Sequence, residues 1–325
     1  MRAFLSKKEK GAVRCLACAH SCLISEGSRG ICSVRKNKGG ELFLEAYGCA
    51  ASFGVDFVEK KPLYHYLPGS KTFSFGTLGC NFRCVFCQNF DISMPLSFNF
   101  EKNLSPKRAV FLALQNDCKS ISYTYNEPAV FAEYALDTAR LARDAGLKNI
   151  LISNGFFSNN ALDHFVEVID AVNIDLKSFS DDFYKKHCGG SLNPVLESIK
   201  RFVREKVWVE VTTLVIPNLN DSKENFEAIA KFIASIDKNI PWHISRFYPA
   251  HKLKDVDFTS VESLELAKKI GLEAGLKNIY IGNVPYGNNT YCDNCGSVLI
   301  RREHNVAVFV REKCSCGKTL GGVFI

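Results

Sequence analysis

The sequence predicts an α/β fold: a partial (βα)6-type TIM barrel with an N-terminal Cys-rich extension and a C-terminal zinc-ribbon-like module. Two observations predict it. From residue 73 to about residue 284, short β-branched or aromatic segments alternate with amphipathic ones, a rhythm typical of parallel βα units. Outside that range, cysteines are concentrated near both ends of the chain. We therefore expect an extension over 1–70, a barrel over 71–285 and a module over 286–325.

The prediction of a barrel is based on seven strand candidates. Several of them are apolar enough to be buried on both faces, as in a parallel sheet. They are, in chain order, "TFSFGTL", "SISYTY", "NILISNG", "AVNIDLK", "VWVEVTTLVIP", "WHISRFYP" and "NIYIGNV". Between them lie amphipathic helix candidates, among them residues 128–145 and a helix with Ser222 as its expected N-cap. Six or seven such units predict a barrel, in which catalytic groups gather on the loops that follow the strands.

Composition favours a cytoplasmic protein with metal-bound cysteines. No window approaches the ~18 consecutive apolar residues of a membrane span, and the first residues lack the apolar region of an export signal. Because the cytoplasm keeps thiols reduced, the 14 cysteines are better explained by metal sites than by disulfides. We expect no membrane association.

The formal charge of +7 would ordinarily suggest a polyanionic partner. Metal-bound cysteines are thiolates, so two four-cysteine zinc sites and one three-cysteine cluster would lower the net charge to roughly +2. Lysine and arginine are also spread along the chain. Nucleic acid is therefore not an expected partner.

Four N-terminal cysteines, Cys15, Cys18, Cys22 and Cys32, lie in a loop-rich stretch with glycines and little hydrophobic periodicity. Such a stretch needs a crosslink to hold its shape. Four thiolates suit both a zinc ion and an auxiliary [4Fe-4S] cluster. Zinc is the favoured interpretation, and the cluster remains open.

A second group of four, Cys292, Cys295, Cys314 and Cys316, lies in "YCDNCGS" and "KCSCGK". The two motifs flank "VLIRREHNVAVFV", which predicts two strands around a turn. Two cysteine knuckles beside a hairpin are typical of a zinc ribbon. The sequence therefore predicts a zinc site near the C-terminus.

The central stretch "GCNFRCVFCQNF" carries Cys80, Cys84 and Cys87 in a C-x3-C-x2-C spacing. Structural zinc sites and ordinary iron–sulfur clusters use four protein ligands, so three cysteines leave one metal position open. Because the first strand candidate ends just before Cys80, we expect the triplet on the first βα loop, at the mouth of the barrel.

Polar residues at the later strands are expected beside this loop. They are Glu127, Asn154, Asp175, Lys177 and His243. Any one of them alone has an ordinary explanation, such as a turn residue or a core histidine. Five of them in one layer, next to a cysteine triplet, predict a functional site.

The C-x3-C-x2-C loop at the head of a βα barrel resembles the signature of the radical S-adenosylmethionine (radical SAM) enzymes. The resemblance is closest to the AmmeMemoRadiSam-system radical SAM proteins, relatives of the pyruvate formate-lyase activating enzymes. It is carried by "CLACAHSC", "EKKPLYHYLPGS", "GCNFRCVFCQNFDIS", "YTYNEP", "TTLVIPNLNDS", "WHISRFYP" and "YCDNCG". It implies a [4Fe-4S] cluster on Cys80, Cys84 and Cys87, whose fourth iron binds the amino and carboxylate groups of S-adenosylmethionine.

The resemblance also implies contacts to that cofactor. Glu127 in "YTYNEP" is implied to bind the methionine ammonium, and Asn154 in "SNG" the ribose. Asp175 and Lys177 in "DLK" match residues near the charged methionine end. These four side chains are therefore expected to converge on the bound cofactor.

Two further contacts are implied, from Phe86 near the adenine and from His243 on a late strand. The sequence departs from the family's pattern at three positions. Tyr125 and Asn126 stand where the family has two glycines, and Ile152 stands where the activating enzymes have an aspartate. The last departure argues against the monovalent cation that those enzymes bind.

The implied function is that of an activating-enzyme-like oxidoreductase. Its cluster would reductively cleave S-adenosylmethionine to methionine and a 5′-deoxyadenosyl radical, which abstracts hydrogen from a substrate that is expected to be a protein or protein-bound. Implied partners are a flavodoxin or ferredoxin as electron donor and Memo-like and Ammecr-like proteins. Two alternatives stay open: a glycyl-radical-enzyme activase proper, and a non-catalytic, zinc-stapled module that binds RNA or protein.

Overall fold

The computed structural model describes residues 1–285 and 287–324, and its N-terminal part contains two small antiparallel sheets. The first holds β1 (Ser6–Glu9), β2 (Ala12–Cys15) and β3 (Leu23–Ser25), and the second holds β4 (Arg35–Lys38) and β5 (Glu41–Leu44). The sequence did not predict these strands. Each is only 3 or 4 residues long, which is too short for a clear alternating pattern.

An eight-stranded sheet forms the centre of the protein, with its strands in sequence order from one edge to the other. They are β6 (Ser52–Phe57), β7 (Lys71–Gly76), β8 (Ser120–Tyr123), β9 (Lys148–Ser153), β10 (Ala171–Asp175), β11 (Trp208–Val215), β12 (Trp242–Arg246) and β13 (Ile279–Gly282). β6 pairs antiparallel with β7, and every later pair is parallel. This confirms the predicted α/β class and all seven strand candidates.

Helices connect these strands. They are α1 (Phe90–Ser93), α2 (Pro106–Gln115), α3 (Ala132–Asp144), α4 (Asn159–Val168), α5 (Asp181–Phe183), α6 (Asn193–Arg204), α7 (Lys223–Ile236) and α8 (Val261–Glu273). The helix predicted over 128–145 begins with a 3-10 turn at Pro128–Phe131 and continues as α3. Ser222 caps α7 as predicted, because its side chain accepts a hydrogen bond from the backbone N–H of Asn225.

Strand β6 belongs to the central sheet although it lies within 1–70, the range that the sequence assigned to an extension. Its residues alternate between half-buried and exposed, and Phe53, Val55 and Phe57 face outward. An antiparallel edge strand can expose one side to water. Its period-two alternation is the signal that could have predicted it.

The C-terminal part forms a third small sheet of β14 (Thr290–Tyr291), β15 (Val298–Glu303) and β16 (Val306–Val310). β15 and β16 are the two predicted strands around a turn. The chain then returns to the segment before β7, where the backbone N–H of Leu67 donates to Val323 O at 2.7 Å. This segment therefore joins the C-terminal part to the central sheet.

One cluster of buried apolar side chains runs from the N-terminal part through the central sheet to its helices, and includes Val13, Ile174 and Phe226. It gives these parts a shared core. None of the helices in the described ranges is long and apolar enough to cross a membrane.

Candidate active site

A cavity lies at the carboxyl ends of the parallel strands. Its walls come from the cysteine loop after β7 and from residues 124–127, 152–154, Asp175 and Lys177, which end or follow β8, β9 and β10. Thr212 on β11 and Ser245 on β12 also line it. Because parallel strands end at the same edge of a sheet, their loops meet there. Five of the six predicted cofactor-binding side chains line this cavity, and His243 does not.

The cysteine loop places Cys80, Cys84 and Cys87 on the wall of this cavity. Burial raises the pKa of the Cys80 and Cys87 thiols, and a hydrogen bond with Cys188 raises that of Cys84. Within the described residues, these sulfurs do not form a group in which all ligand atoms lie within 4.8 Å of one another. Sulfurs that do not all lie within that limit do not suit one tetrahedral ion, whereas the thiolates of a [4Fe-4S] cluster bind different irons and need not lie so close together.

Asn126 anchors the start of the cysteine loop. Its Oδ1 accepts a hydrogen bond from Thr77 N at 3.0 Å, and its Nδ2 donates to Gly79 O at 2.6 Å. Gly79 has a φ of +84°, and a Cβ there would lie 2.4 Å from Cys32 O, so only glycine fits. From the sequence, Asn126 was noted only as a departure from a glycine pattern, whereas its side chain holds the loop that carries Cys80.

Glu127 is buried beside this loop, with 1% of its surface exposed. Its carboxylate accepts hydrogen bonds from Ala129 N at 2.9 Å, Asn154 N at 2.8 Å and Ser153 Oγ at 2.9 Å. Burial nevertheless raises the pKa of Glu127 to about 7. A buried carboxylate that lacks a cationic partner is well suited to bind a ligand ammonium group.

Asn154 is also buried, and its side-chain amide is fixed on both sides. Its Nδ2 donates to Asn81 Oδ1 at 2.7 Å, and its Oδ1 accepts from Phe156 N at 3.0 Å. A primary amide offers two N–H groups and two acceptor positions. One donor and one acceptor position therefore remain for a ligand in the cavity.

Asp175 and Lys177 form an ion pair on the cavity wall, with Lys177 Nζ 2.9 Å from Asp175 Oδ2. Burial alone would lower the pKa of Lys177, but the charge of Asp175 and the nearby Cys84 and Cys188 raise it well above its usual range. Lys177 Nζ also lies 5.8 Å from the centre of the Phe86 ring. The lysine therefore stays cationic between the cysteine loop and β10.

His243 lies deeper than predicted. It faces the same side of β12 as Ser245, but the two-residue step along the strand is about 7 Å, and Ser245 is the one that lines the cavity. His243 Nε2 lies 2.6 Å from Glu210 Oε2, and that carboxylate also accepts from Tyr64 N and His65 N. The expectation that His243 shares a layer with the other site residues is thus corrected.

Thr212 and Ser245 line the cavity although the sequence did not single them out. Each is a polar residue inside a strand candidate that was otherwise apolar enough to be buried. Thr212 Oγ1 donates to Asn173 Oδ1 at 2.9 Å, so its polarity is partly satisfied within the sheet. Polar residues at alternate positions of a buried strand were the available signal.

The C-terminal cysteines form a compact group. Among the residues that the structure describes, Cys292, Cys295, Cys314 and Cys316 are the one set whose ligand atoms all lie within 4.8 Å and could hold a metal ion. Cys292 Sγ is 3.6 Å from Cys316 Sγ, and Cys295 Sγ is 3.4 Å from Cys314 Sγ. The structure therefore brings the four predicted ligands together.

Comparison with known proteins agrees with this geometry. The model of the radical SAM superfamily matches residues 75–233, which include the cysteine loop. The chain is 43% identical over 303 residues to an uncharacterized protein of Methanocaldococcus jannaschii, covering 92% of this chain and 90% of that protein. It is 25% identical over 227 residues to the pyruvate formate-lyase-activating enzyme of Clostridium pasteurianum, covering 65% of this chain and 92% of that protein.

Solved structures share the fold at low sequence identity. A radical SAM methyltransferase from Sphaerobacter thermophilus superposes with a TM-score of 0.51 at 16% identity, over 72% of this chain and 71% of that one. Streptococcus suis SuiB bound to S-adenosylmethionine superposes with a TM-score of 0.52 at 13% identity, over 70% of this chain and 53% of that one. Because the superfamily model spans the cysteine loop and most of the strands around the cavity, this chain is a member of the radical SAM superfamily and an enzyme.

Proposed function

We propose that this enzyme cleaves S-adenosylmethionine reductively at a [4Fe-4S] cluster on Cys80, Cys84 and Cys87, and that the resulting 5′-deoxyadenosyl radical removes hydrogen from a protein or protein-bound substrate. The single observation that carries this proposal is that the three thiols and the buried Glu127 line one cavity. A flavodoxin or ferredoxin is the proposed source of the electron. The residues of the chain bind the cofactor, orient it and exclude water.

The two ends of the methionine moiety need opposite charges from the protein. Glu127 has no cationic partner among the described residues that contact its carboxylate, so it is the proposed acceptor for the cofactor ammonium. Lys177 carries the positive charge that suits the methionine carboxylate, and Asp175 holds that lysine in place. This arrangement orients the methionine moiety through charge-assisted hydrogen bonds.

The nucleoside part is proposed to lie between Asn154 and Phe86. Asn154 keeps one N–H and one acceptor position for the ribose hydroxyls. The Phe86 ring is 3% exposed and lines the cavity, where an aromatic face can stack on adenine. His243 is not proposed as a contact, since its imidazole pairs with Glu210.

We propose the finer fold assignment as well. The central sheet is interpreted as a partial (βα)6-type barrel, and the C-terminal part as a zinc-ribbon-like module. Tetrahedral zinc with Zn–S bonds of about 2.3 Å places its sulfurs about 3.8 Å apart. The Cys292–Cys316 and Cys295–Cys314 sulfur separations, 3.6 and 3.4 Å, are close to this value, which supports zinc there.

A protein substrate is supported by the relatives rather than by the cavity. One is a putative glycyl-radical enzyme activating enzyme of Methanocaldococcus jannaschii, 25% identical over 221 residues, covering 64% of this chain and 77% of that protein. Its name describes action on another enzyme, so a glycyl-radical activase is the second candidate. Memo-like and Ammecr-like proteins are the proposed partners, because the motifs resemble those of that system.

Formation of 5′-deoxyadenosine tests the proposed reaction. The reconstituted protein is incubated anaerobically with dithionite and S-adenosylmethionine, and the product is measured by mass spectrometry. We expect the wild type to form it and Cys84→Ala to form at least about 100-fold less, because cleavage needs the cluster. Cys118→Ala, at a buried cysteine outside the motif, is the matched control and should keep activity. Equal product from Cys84→Ala, or none from wild type with a verified cluster, would contradict the proposal.

A further inference from the structure

A second buried cavity lies in the N-terminal part, outside the proposed cofactor site. All four N-terminal cysteines line it, together with Asn81 and Arg35. Cys15, Cys18 and Cys32 are buried, and Cys22 is partly so. The four thiols thus surround a common enclosed space, and the proposed cleavage reaction uses none of them.

The spacing of these sulfurs separates them from the C-terminal set. In the described part of the chain, no three of Cys15, Cys18, Cys22 and Cys32 have ligand atoms that all lie within 4.8 Å of one another. The C-terminal four meet that limit, as a zinc site requires. The cysteines of the catalytic loop do not meet it either, and they are the proposed ligands of a cluster. The N-terminal set therefore lacks the compact spacing of the C-terminal set, and a cluster, whose thiolates bind different irons, does not require such compact spacing.

Asn81 adds an independent sign of a ligand in this cavity. Its side chain is 1% exposed and lines the cavity, and its Nδ2 has no hydrogen-bond partner among the described residues. Its Oδ1 is satisfied by Asn154. A buried amide N–H without a partner is costly, and a cluster sulfur or a bound thiolate would accept its hydrogen bond.

We propose that Cys15, Cys18, Cys22 and Cys32 hold a second [4Fe-4S] cluster, with Asn81 Nδ2 as a hydrogen-bond donor to it. Binding would release the four thiol protons and leave a net charge of about −2 on the cluster and its ligands. Arg35 lines the same cavity, although its guanidinium is paired with Glu133. This site is independent of the proposed function, which needs only the catalytic cluster.

The second site lies directly behind the cysteine loop that carries Cys80, Cys84 and Cys87. A Cβ on Gly79 would lie 2.4 Å from Cys32 O, and His20 Nε2 lies 2.8 Å from Asn81 O. Arg83 of the catalytic loop also donates to Ile31 O. Because Asn81 follows Cys80 in sequence, the two proposed clusters are separated by the width of one backbone segment.

Metal analysis of a variant without the catalytic ligands tests this site. The full-length triple variant Cys80→Ala, Cys84→Ala, Cys87→Ala is reconstituted anaerobically beside the wild type. We expect about eight irons per chain in the wild type, about four irons and four sulfides in the variant, and about one zinc in both. The reduced variant should give an iron–sulfur electron paramagnetic resonance signal that S-adenosylmethionine leaves unchanged, because all four irons have cysteine ligands.

Two results would overturn the second cluster: a folded triple variant with about two zincs and no iron, or one with no metal at the N-terminal site. If the triple variant does not fold, the double variant Cys18→Ser, Cys22→Ser tests the second cluster instead. It should hold about four irons against about eight in the wild type, and equal iron in both would contradict the site. If the second cluster is absent, the wild type should still form 5′-deoxyadenosine. If the proposed cleavage reaction is wrong, the triple variant should still contain the iron of the second cluster.

Discussion

Glu127→Gln is expected to weaken the binding of S-adenosylmethionine by about 100-fold, which corresponds to the loss of one buried charge-assisted contact. The carboxylate is 1% exposed, so water cannot replace it. Glutamine removes the negative charge and keeps only one acceptor oxygen, so it cannot accept both the hydrogen bond that Ala129 N donates to Oε1 and the one that Asn154 N donates to Oε2. Isothermal titration of the anaerobic, cluster-loaded protein measures the affinity.

The same carboxyl group should make wild-type affinity depend on pH. Burial raises the pKa of Glu127 from 4.5 to about 7, so below pH 7 the cofactor ammonium must displace a proton. Affinity should therefore fall by up to about tenfold for each pH unit between about 7 and 5.5. Glu127→Gln cannot titrate, and its affinity should be nearly flat over this range.

Folding stability without the cofactor should move in the opposite direction. Because the folded-state pKa of Glu127 is raised above its ordinary value, the folded chain prefers the protonated form. This group's contribution to stability is then lost as pH rises from about 4.5 to about 7. Denaturation curves of wild type and Glu127→Gln at both ends of this window isolate the effect.

Glu167→Gln is the matched control, since Glu167 is an exposed glutamate on α4. Its cofactor affinity and pH profile should equal those of the wild type. A loss of less than about threefold in Glu127→Gln would mean that the carboxylate contributes less than about 0.7 kcal/mol to binding. The ammonium contact would then have to be reassigned to Asp175, the other carboxylate on the cavity wall.

The central strands were predictable because most are short β-branched or aromatic runs between helices, and several are apolar enough to be buried on both faces. β8 and β10 show this in their burial, which is continuous along nearly the whole strand. β6 was not predicted because Ser52, Gly54 and Asp56 interrupt its apolar residues, so it lacks the continuous apolar run of a strand that is buried on both faces. The N-terminal strands escaped because each is only 3 or 4 residues long, too short to show a clear alternating pattern.

The site residues were predictable where their position in the sequence alone places them at the end of a strand, next to the cavity. The spacing of the cysteines places them on one loop, and Glu127 and Asp175 follow or end short strands. The error at His243 arose because a sequence pattern identifies a strand without showing how far along it the cavity reaches, and two residues amount to about 7 Å. The anchoring role of Asn126 depends on where Thr77 N and Gly79 O lie in space, which no local pattern encodes.

Arg35→Met is expected to lower the free energy of unfolding by about 3–5 kcal/mol, because it leaves a buried carboxylate without its cation. Arg35 on β4 and Glu133 on α3 have side chains that are 1% and 0% exposed. Arg35 Nη1 donates to Glu133 Oε1 at 3.1 Å, and its Nε donates to Val130 O at 2.9 Å. The pair joins the N-terminal part to the helix that follows β8. Urea denaturation measures the loss.

Glu133→Gln added to Arg35→Met should recover about half of that loss, because it removes the unpaired charge and keeps an acceptor for Leu5 N. Lys231→Ala, at an exposed i,i+4 pair with Glu227, is the control and should change stability by less than about 0.5 kcal/mol. Arg35 also lines the N-terminal cysteine cavity, so all variants must be compared at measured iron content. A loss under about 1 kcal/mol in Arg35→Met would show that the N-terminal part is held by its apolar contacts and the proposed cluster, and not by this ion pair.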